Sequence, residues 1–367
     1  MMGRKHSIEE QRMLSEWQAF LQQAGATLAD GRVEHFGAPD DERAAALQGD
    51  ILVDLSHFGL LRVEGPDAVT FMQGQFTNDV RQVSAERSQL GGHPTPKGRL
   101  LNIFRLFQRD GAYYLRMPAP LVQPALERLR KYVLMSKVTL ADAGDHLLRI
   151  GVSGPHVFAR LAQELDRMPQ AADEVAHGSG LTVVRVAGPH PRAEVYGDAA
   201  AITALWQHLA TIARPAGASA WALLDIRAGL PNLFPATVEA FVPQMVNLQL
   251  VNGVSFRKGC YTGQEVVARM QYLGTLKRRM YLAHTAEGTA PAPGTELHCS
   301  NSDSGQGAGK VVDAQPAPGG GVDLLVVAQV SLLENKDEVR IGDAAGGRLT
   351  FKSLPYAFPV ETQDTGS

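Results

Sequence analysis

The sequence predicts an α+β fold, with two mixed α/β units followed by a small all-β barrel. Three observations lead there. Helical and strand periodicities both recur between residues 51 and 270. Strands stand before and after each helix, the pattern of a mixed α+β layer, and neither Gly-x-Gly-x-x-Gly nor a Walker motif is present to suggest a doubly wound sheet. Beyond Gly274, short alternating strands separated by Gly- and Pro-rich turns fill roughly 80 residues, the spacing of a small barrel.

The elements follow in order. Ser7 and Glu10 have capping-box spacing, and Met13, Leu14, Trp17, Phe20 and Leu21 share one helical face. This predicts a docking helix in an N-terminal extension over 1–45. Ile51 to Val63 alternates as strands joined by a turn at His57–Gly59. Asp67 caps a short helix carrying Val69, Phe71 and Met72. Leu100–Phe107 and Tyr113–Met117 form a hairpin turned at Arg109-Asp110-Gly111. An amphipathic helix over Pro120–Met135 is built on Leu121, Leu126, Leu129 and Val133. A second unit has strands near 147–152, 181–186 and 193–196, and helices near 155–165 and 199–213. The two units together occupy 46–275. Barrel strands fall near 280–283, 310–314, 324–330, 338–341 and 349–352, within a domain over 276–360. The tail from Glu361 is polar and reads as disordered.

Composition narrows the function. The chain is 44% hydrophobic and 20% charged with a net charge of −3, ordinary for a globular protein and without a global pull toward nucleic acid or membrane. No apolar run reaches transmembrane length. The two cysteines, Cys260 and Cys299, point to a reducing, cytoplasmic setting and cannot supply four thiolates for a resident iron–sulfur cluster. The histidines lack metal-ligand spacing.

The most informative segment is Arg257-Lys258-Gly259-Cys260-Tyr261-Thr262-Gly263-Gln264-Glu265. Thr262 as N-cap and Glu265 at N3 form a capping box that opens a helix. Helix N–H groups and the Arg257-Lys258 cations favour the thiolate of Cys260. The bland alternative is a buried cysteine acting as a small hydrophobe. Lys277-Arg278-Arg279 adds charge nearby, suited to a polyanion such as RNA or to simple solvation.

The Cys260 segment resembles the signature of the YgfZ family of folate-binding proteins. Asp54-Leu55-Ser56-His57, Gly65-Pro66-Asp67-Ala68, Gln73-Gly74-Gln75 and Thr77-Asn78-Asp79 resemble the N-terminal pattern that this family shares with the glycine-cleavage T-protein, an aminomethyltransferase. Pro96-Lys97-Gly98-Arg99-Leu100, Lys131-Tyr132-Val133 with Ser136-Lys137-Val138, Ala228-Gly229-Leu230-Pro231 and Gly253-Val254-Ser255-Phe256 fit as well. The resemblance implies an aminomethyltransferase-like ring of three domains around a central opening. It also implies tetrahydrofolate as ligand, and as partners iron–sulfur enzymes or assembly factors, with tRNA or tRNA-modifying enzymes beyond them. Its site residues are Cys260 as the reactive group, with Met72, Asn78, Asp79, Leu90, Asn102, Arg227, Lys258, Gln264 and Arg269 around the ligand. By motif register the T-protein's aspartate falls at Asn102, and an amide cannot act as a carboxylate base. Its Gly-Glu-Asp-Gly turn is replaced around His190-Pro191-Arg192. The YgfZ-type Arg-x-Glu reads Asp225-Ile226-Arg227, with its charges exchanged in place and compatible with a surviving ion pair. These departures favour an accessory folate-binding protein over the alternative of an active aminomethyl transferase. A tRNA-binding module using the basic run is a third alternative.

Overall fold

The computed structural model describes residues 2–272, 276–300 and 307–358. Three sheets organise them. The first has the strand order Gln89–Pro94, Leu100–Arg109, Ala112–Pro118, Phe58–Glu64, Thr139–Asp142, all antiparallel. Its central hairpin turns at Asp110 and Gly111, with φ of 50° and 76°. Two successive left-handed residues give the turn whose twist matches the flanking strands.

The second sheet runs Val175–Gly178, Leu181–Val186, Arg192–Gly197, Leu148–Ser153, Ile51–Asp54, Arg214–Ala216. Ile51–Asp54 and Phe58–Glu64, expected as neighbours across a turn, therefore lie in different sheets. Leu55–His57 is the crossing between them. Arg149 holds that crossing, donating to the carbonyls of Leu55 and Ser56 at 3.2 Å each.

The N-terminal helix, Met2–Gln23, is part of the second unit's core. Ser7 lies inside it and not at its start. Trp17 and Leu21 are buried, and Trp17 meets Trp206 edge-on at 5.4 Å while donating to Asp54 Oδ1 at 2.8 Å. The helix of the first unit is shorter than its pattern suggested. It spans Val122–Arg130, and Leu134 and Met135 beyond it are 85% and 94% exposed.

The third sheet curls into a half-barrel ordered Arg340–Ile341, Glu296–His298, Gly309–Pro316, Val322–Gln329, Arg278–Thr285, Thr350–Lys352. The helix Ala218–Arg227, buried on nearly every side, packs between this half-barrel and the second sheet. The expected tail from Glu361 lies outside the described residues. Among the described residues no helix is long and apolar enough to cross a membrane.

Candidate functional site

A cavity of about 340 Å³ lies where the three sheets meet. Leu90 comes from the first sheet, and Ala187, Gly188 and Pro189 follow a strand of the second. Arg227, Ala228 and Leu230 continue from the Ala218–Arg227 helix, and Tyr356 arrives from the chain beyond the half-barrel. Leu90, Val186, Ala228 and Leu230 form one buried apolar cluster, with Val251 against it. Leu90, Ala228, Leu230 and Val251 of this cluster line the cavity as an apolar floor.

Two guanidiniums border the floor. Arg105, opposite Leu90 in register, is buried and ion-paired with Asp173, the one carboxylate lining this cavity. Arg227 donates to Asp323 at 2.6 Å, and His284 and Lys352 reach the same carboxylate at 2.9 and 3.2 Å. Burial opposes ionisation of Asp323, but the hydrogen bond to His284 and the charges of Arg227 and Lys352 keep it below the ordinary carboxylate range. Tyr356 Oη donates to the Gly229 carbonyl at 2.8 Å and fixes the opposite lip.

Asp225 and Arg227 do not pair with each other. Two residues apart on a helix, they point to different sides. Asp225 accepts from buried Arg192 at 2.7 Å, and the Arg192 guanidinium lies 4.8 Å from the Trp221 ring centroid. The arginine from the substituted turn thus supplies the partner charge.

Asn102 faces elsewhere. Side chains alternate along a strand, so Asn102 and Arg105 occupy opposite faces of Leu100–Arg109. Asn102 lines a second cavity and not the central one. Met72 is fully buried in the first unit's core. The Asn78 amide donates to the carbonyls of Leu90 and Asn252 at 2.9 and 2.6 Å, which joins the first sheet to the loop at the central cavity. Asp79 caps the turn Val80–Gln82. Its hydrogen bonds from Arg81, then Gln73, hold its carboxyl down to about 2.

The Cys260 segment lies across the first unit. Cys260 is exposed, whereas Cys299 is buried. Lys258 turns inward, and its ammonium donates to the carbonyls of Gln73, Phe76 and Asn78 at 2.8, 2.6 and 2.9 Å. All three of its protons are committed. Burial lowers Lys258 to about 8, with Asp79 opposing. Thr262 does not cap the next helix, because Gly263 at φ +78° breaks helical geometry and the helix spans Gln264–Tyr272. Glu265 instead pairs with Arg269 at 3.2 Å on the surface. Gln264 is half-buried at the helix start. Neither Cys260, Gln264 nor Arg269 lines the central cavity or the second one. In the basic run, Arg278 donates to the Gly307 carbonyl at 2.9 Å and Arg279 lies 5.2 Å from the Phe358 ring centroid.

Residues that pattern reading missed are Arg105, Asp173, Asn252 and Tyr356. An arginine set between Phe104 and Leu106 in the buried stretch of its strand was the available signal for Arg105.

Three sheets around a shared cavity define the aminomethyltransferase fold. The structure superposes on the glycine cleavage system aminomethyltransferase T from Bartonella henselae with a TM-score of 0.72, covering 92% of this chain and 96% of that one at 17% identity. The family model of the GCVT N-terminal domain matches residues 18–249. The chain is 32% identical to the tRNA-modifying protein YgfZ of Colwellia psychrerythraea, over 86% of this chain and 96% of that one. Against the protein of that name from Serratia proteamaculans it is 32% identical, over 84% and 93%. Against that from Yersinia pseudotuberculosis it is 33% identical, over 83% and 92%. The chain belongs to the YgfZ family of the aminomethyltransferase superfamily.

Proposed function

We propose that this chain is a tetrahydrofolate-binding accessory protein that supports iron–sulfur cluster assembly or repair, and through it iron–sulfur-dependent tRNA modification, with Cys260 as its reactive group. The central cavity carries this reading. Its apolar floor at Leu90, Ala228 and Leu230 suits a flat ring, and Arg227 at its border, held by Asp323 through Nε and Nη2 with its side chain 31% exposed, suits a carboxylate tail at its remaining edge. Tetrahydrofolate held there would supply a reduced pterin, an acceptor for a one-carbon unit or for oxidising equivalents. The chain's own residues orient it: Arg105 and Asp173 neutralise each other at the wall, and Tyr356 fixes the lip. Aminomethyl transfer calls for a free carboxylate base, and Asp173 is held by Arg105.

Cys260 stands in water on a segment fastened at Lys258. One exposed thiol contributes at most one bond to a cluster whose other ligands come from a client. The relatives' common name, tRNA-modifying protein, supports clients in tRNA modification. The test is complementation of a strain lacking the chain, read as the activity of an iron–sulfur enzyme that thiomethylates tRNA. Cys260→Ser should fail to restore that activity while the protein accumulates normally. Full restoration by Cys260→Ser would remove the thiol from the account.

A further inference from the structure

We propose that the second cavity is a binding site for one nucleoside monophosphate unit, distinct from the central cavity. It measures about 630 Å³ and opens on the side of the first sheet that carries Asn102. Two polar side chains form its inner wall. His93 and Asn102 sit opposite each other in register on adjacent strands. They are 2% and 3% exposed, and among the described residues His93 Nδ1 and Asn102 Oδ1 have no hydrogen-bond partner. Two unpaired polar atoms side by side in a cavity wall leave a donor and acceptor surface that a ligand in the cavity can satisfy. Burial, with Arg128 adding, lowers His93 to about 3 and leaves its ring neutral. A neutral imidazole beside a carboxamide offers both donors and acceptors, the chemistry that reads the edge of a nucleobase.

The remaining walls are prolines and aliphatic side chains, with Tyr132 at the mouth. Tyr132 is 41% exposed and so has a face available for stacking. Arg128 and Lys131 share that mouth, and no described carboxylate pairs with either. Glu127 and Glu239 also line it, so the charges balance and a single phosphate fits better than a polyphosphate. From Arg128 to Val138 the chain carries four cations and no acid, with Leu134 and Met135 exposed. That surface extends the site for a nucleotide that is part of an RNA strand.

The experiment is calorimetric titration of the full chain with AMP, GMP, CMP and UMP, and separately with a single-stranded RNA octamer. At least one monophosphate should bind saturably. Arg128→Ala, at a half-buried position in the last turn of the helix Val122–Arg130, should weaken it about tenfold through loss of one charge-assisted hydrogen bond, with the circular dichroism spectrum unchanged. Asn102→Ala should change which base is preferred, and Arg227→Ala in the central cavity should leave nucleotide binding as it is. RNA binding that depends on Arg128 and Asn102 would assign the ligand to an RNA strand, and monophosphate binding alone to a free nucleotide. Absence of both at millimolar ligand, or binding indifferent to Arg128 and Asn102, would overturn the proposal. Loss on Arg227→Ala would also overturn it, by placing the nucleotide in the central cavity. A failure of tetrahydrofolate to bind the same preparation bears on the central cavity alone.

Discussion

Lys258→Met removes the fastening that places Cys260. The wild-type ammonium gives one hydrogen bond to each of three carbonyls, those of Gln73, Phe76 and Asn78, and is nearly out of contact with water. A hydrogen bond from a charged donor contributes about 1.5–3 kcal/mol net, and methionine has nearly the same length but no donor. Relief from burying a charge offsets part of the loss, which leaves a destabilisation of about 3 kcal/mol. Urea unfolding measures it as a lower midpoint at unchanged slope. Hydrogen exchange should quicken first at residues 73–79, and Cys260 should react faster with a thiol reagent. A change below about 0.5 kcal/mol, the range of ordinary surface substitutions, would refute the assignment of Lys258 as a structural staple.

Asp225→Ala strands the buried Arg192 guanidinium and should cost about 3–5 kcal/mol by thermal or urea unfolding. Gly263→Ala forces a side chain into φ +78° and brings its Cβ within 2.3 Å of the Thr95 carbonyl oxygen, with an expected loss of about 2–3 kcal/mol by the same assay. Asp313 is buried in the half-barrel with Asp225 acting on it, and burial raises its carboxyl from 3.8 to about 7. Between those values the folded chain keeps a proton that the unfolded chain has released. This stabilisation is complete below pH 3.8 and is lost as pH rises through 7. The window is worth about 4 kcal/mol, and Asp313→Asn should flatten the stability profile across it.

The order of the elements and the curled C-terminal sheet were legible because each rests on local periodicity. The strand Gln89–Pro94 was not. Its Gly91 and Gly92 weaken strand propensity, yet a Cβ at either would strike Phe104 or Leu100, so packing demands glycine there. The helix Ala218–Arg227 carries apolar residues on nearly every side because it is covered by two sheets, which erases the amphipathic stripe. The capping box at Thr262 followed a sound spacing rule, and Gly263's left-handed backbone overrode it. In the site, Arg227 was legible through a family motif and Leu90 as an apolar wall that the resemblance implied, and both line the central cavity. The partners of Lys258, Asp225 and Arg227 were not, because each lies 33 or more residues away in sequence. Asn102 was placed by motif register, and register alone does not say which face of a strand a residue takes.

The central claim is that the cavity among the three sheets holds tetrahydrofolate. Calorimetric titration of the full chain with tetrahydrofolate and its polyglutamate, beside Arg227→Ala, tests it most directly. The account predicts one site per chain, tighter binding of the polyglutamate, and a loss of about tenfold on removing Arg227. Heats indistinguishable from dilution, or binding that ignores Arg227, would contradict it.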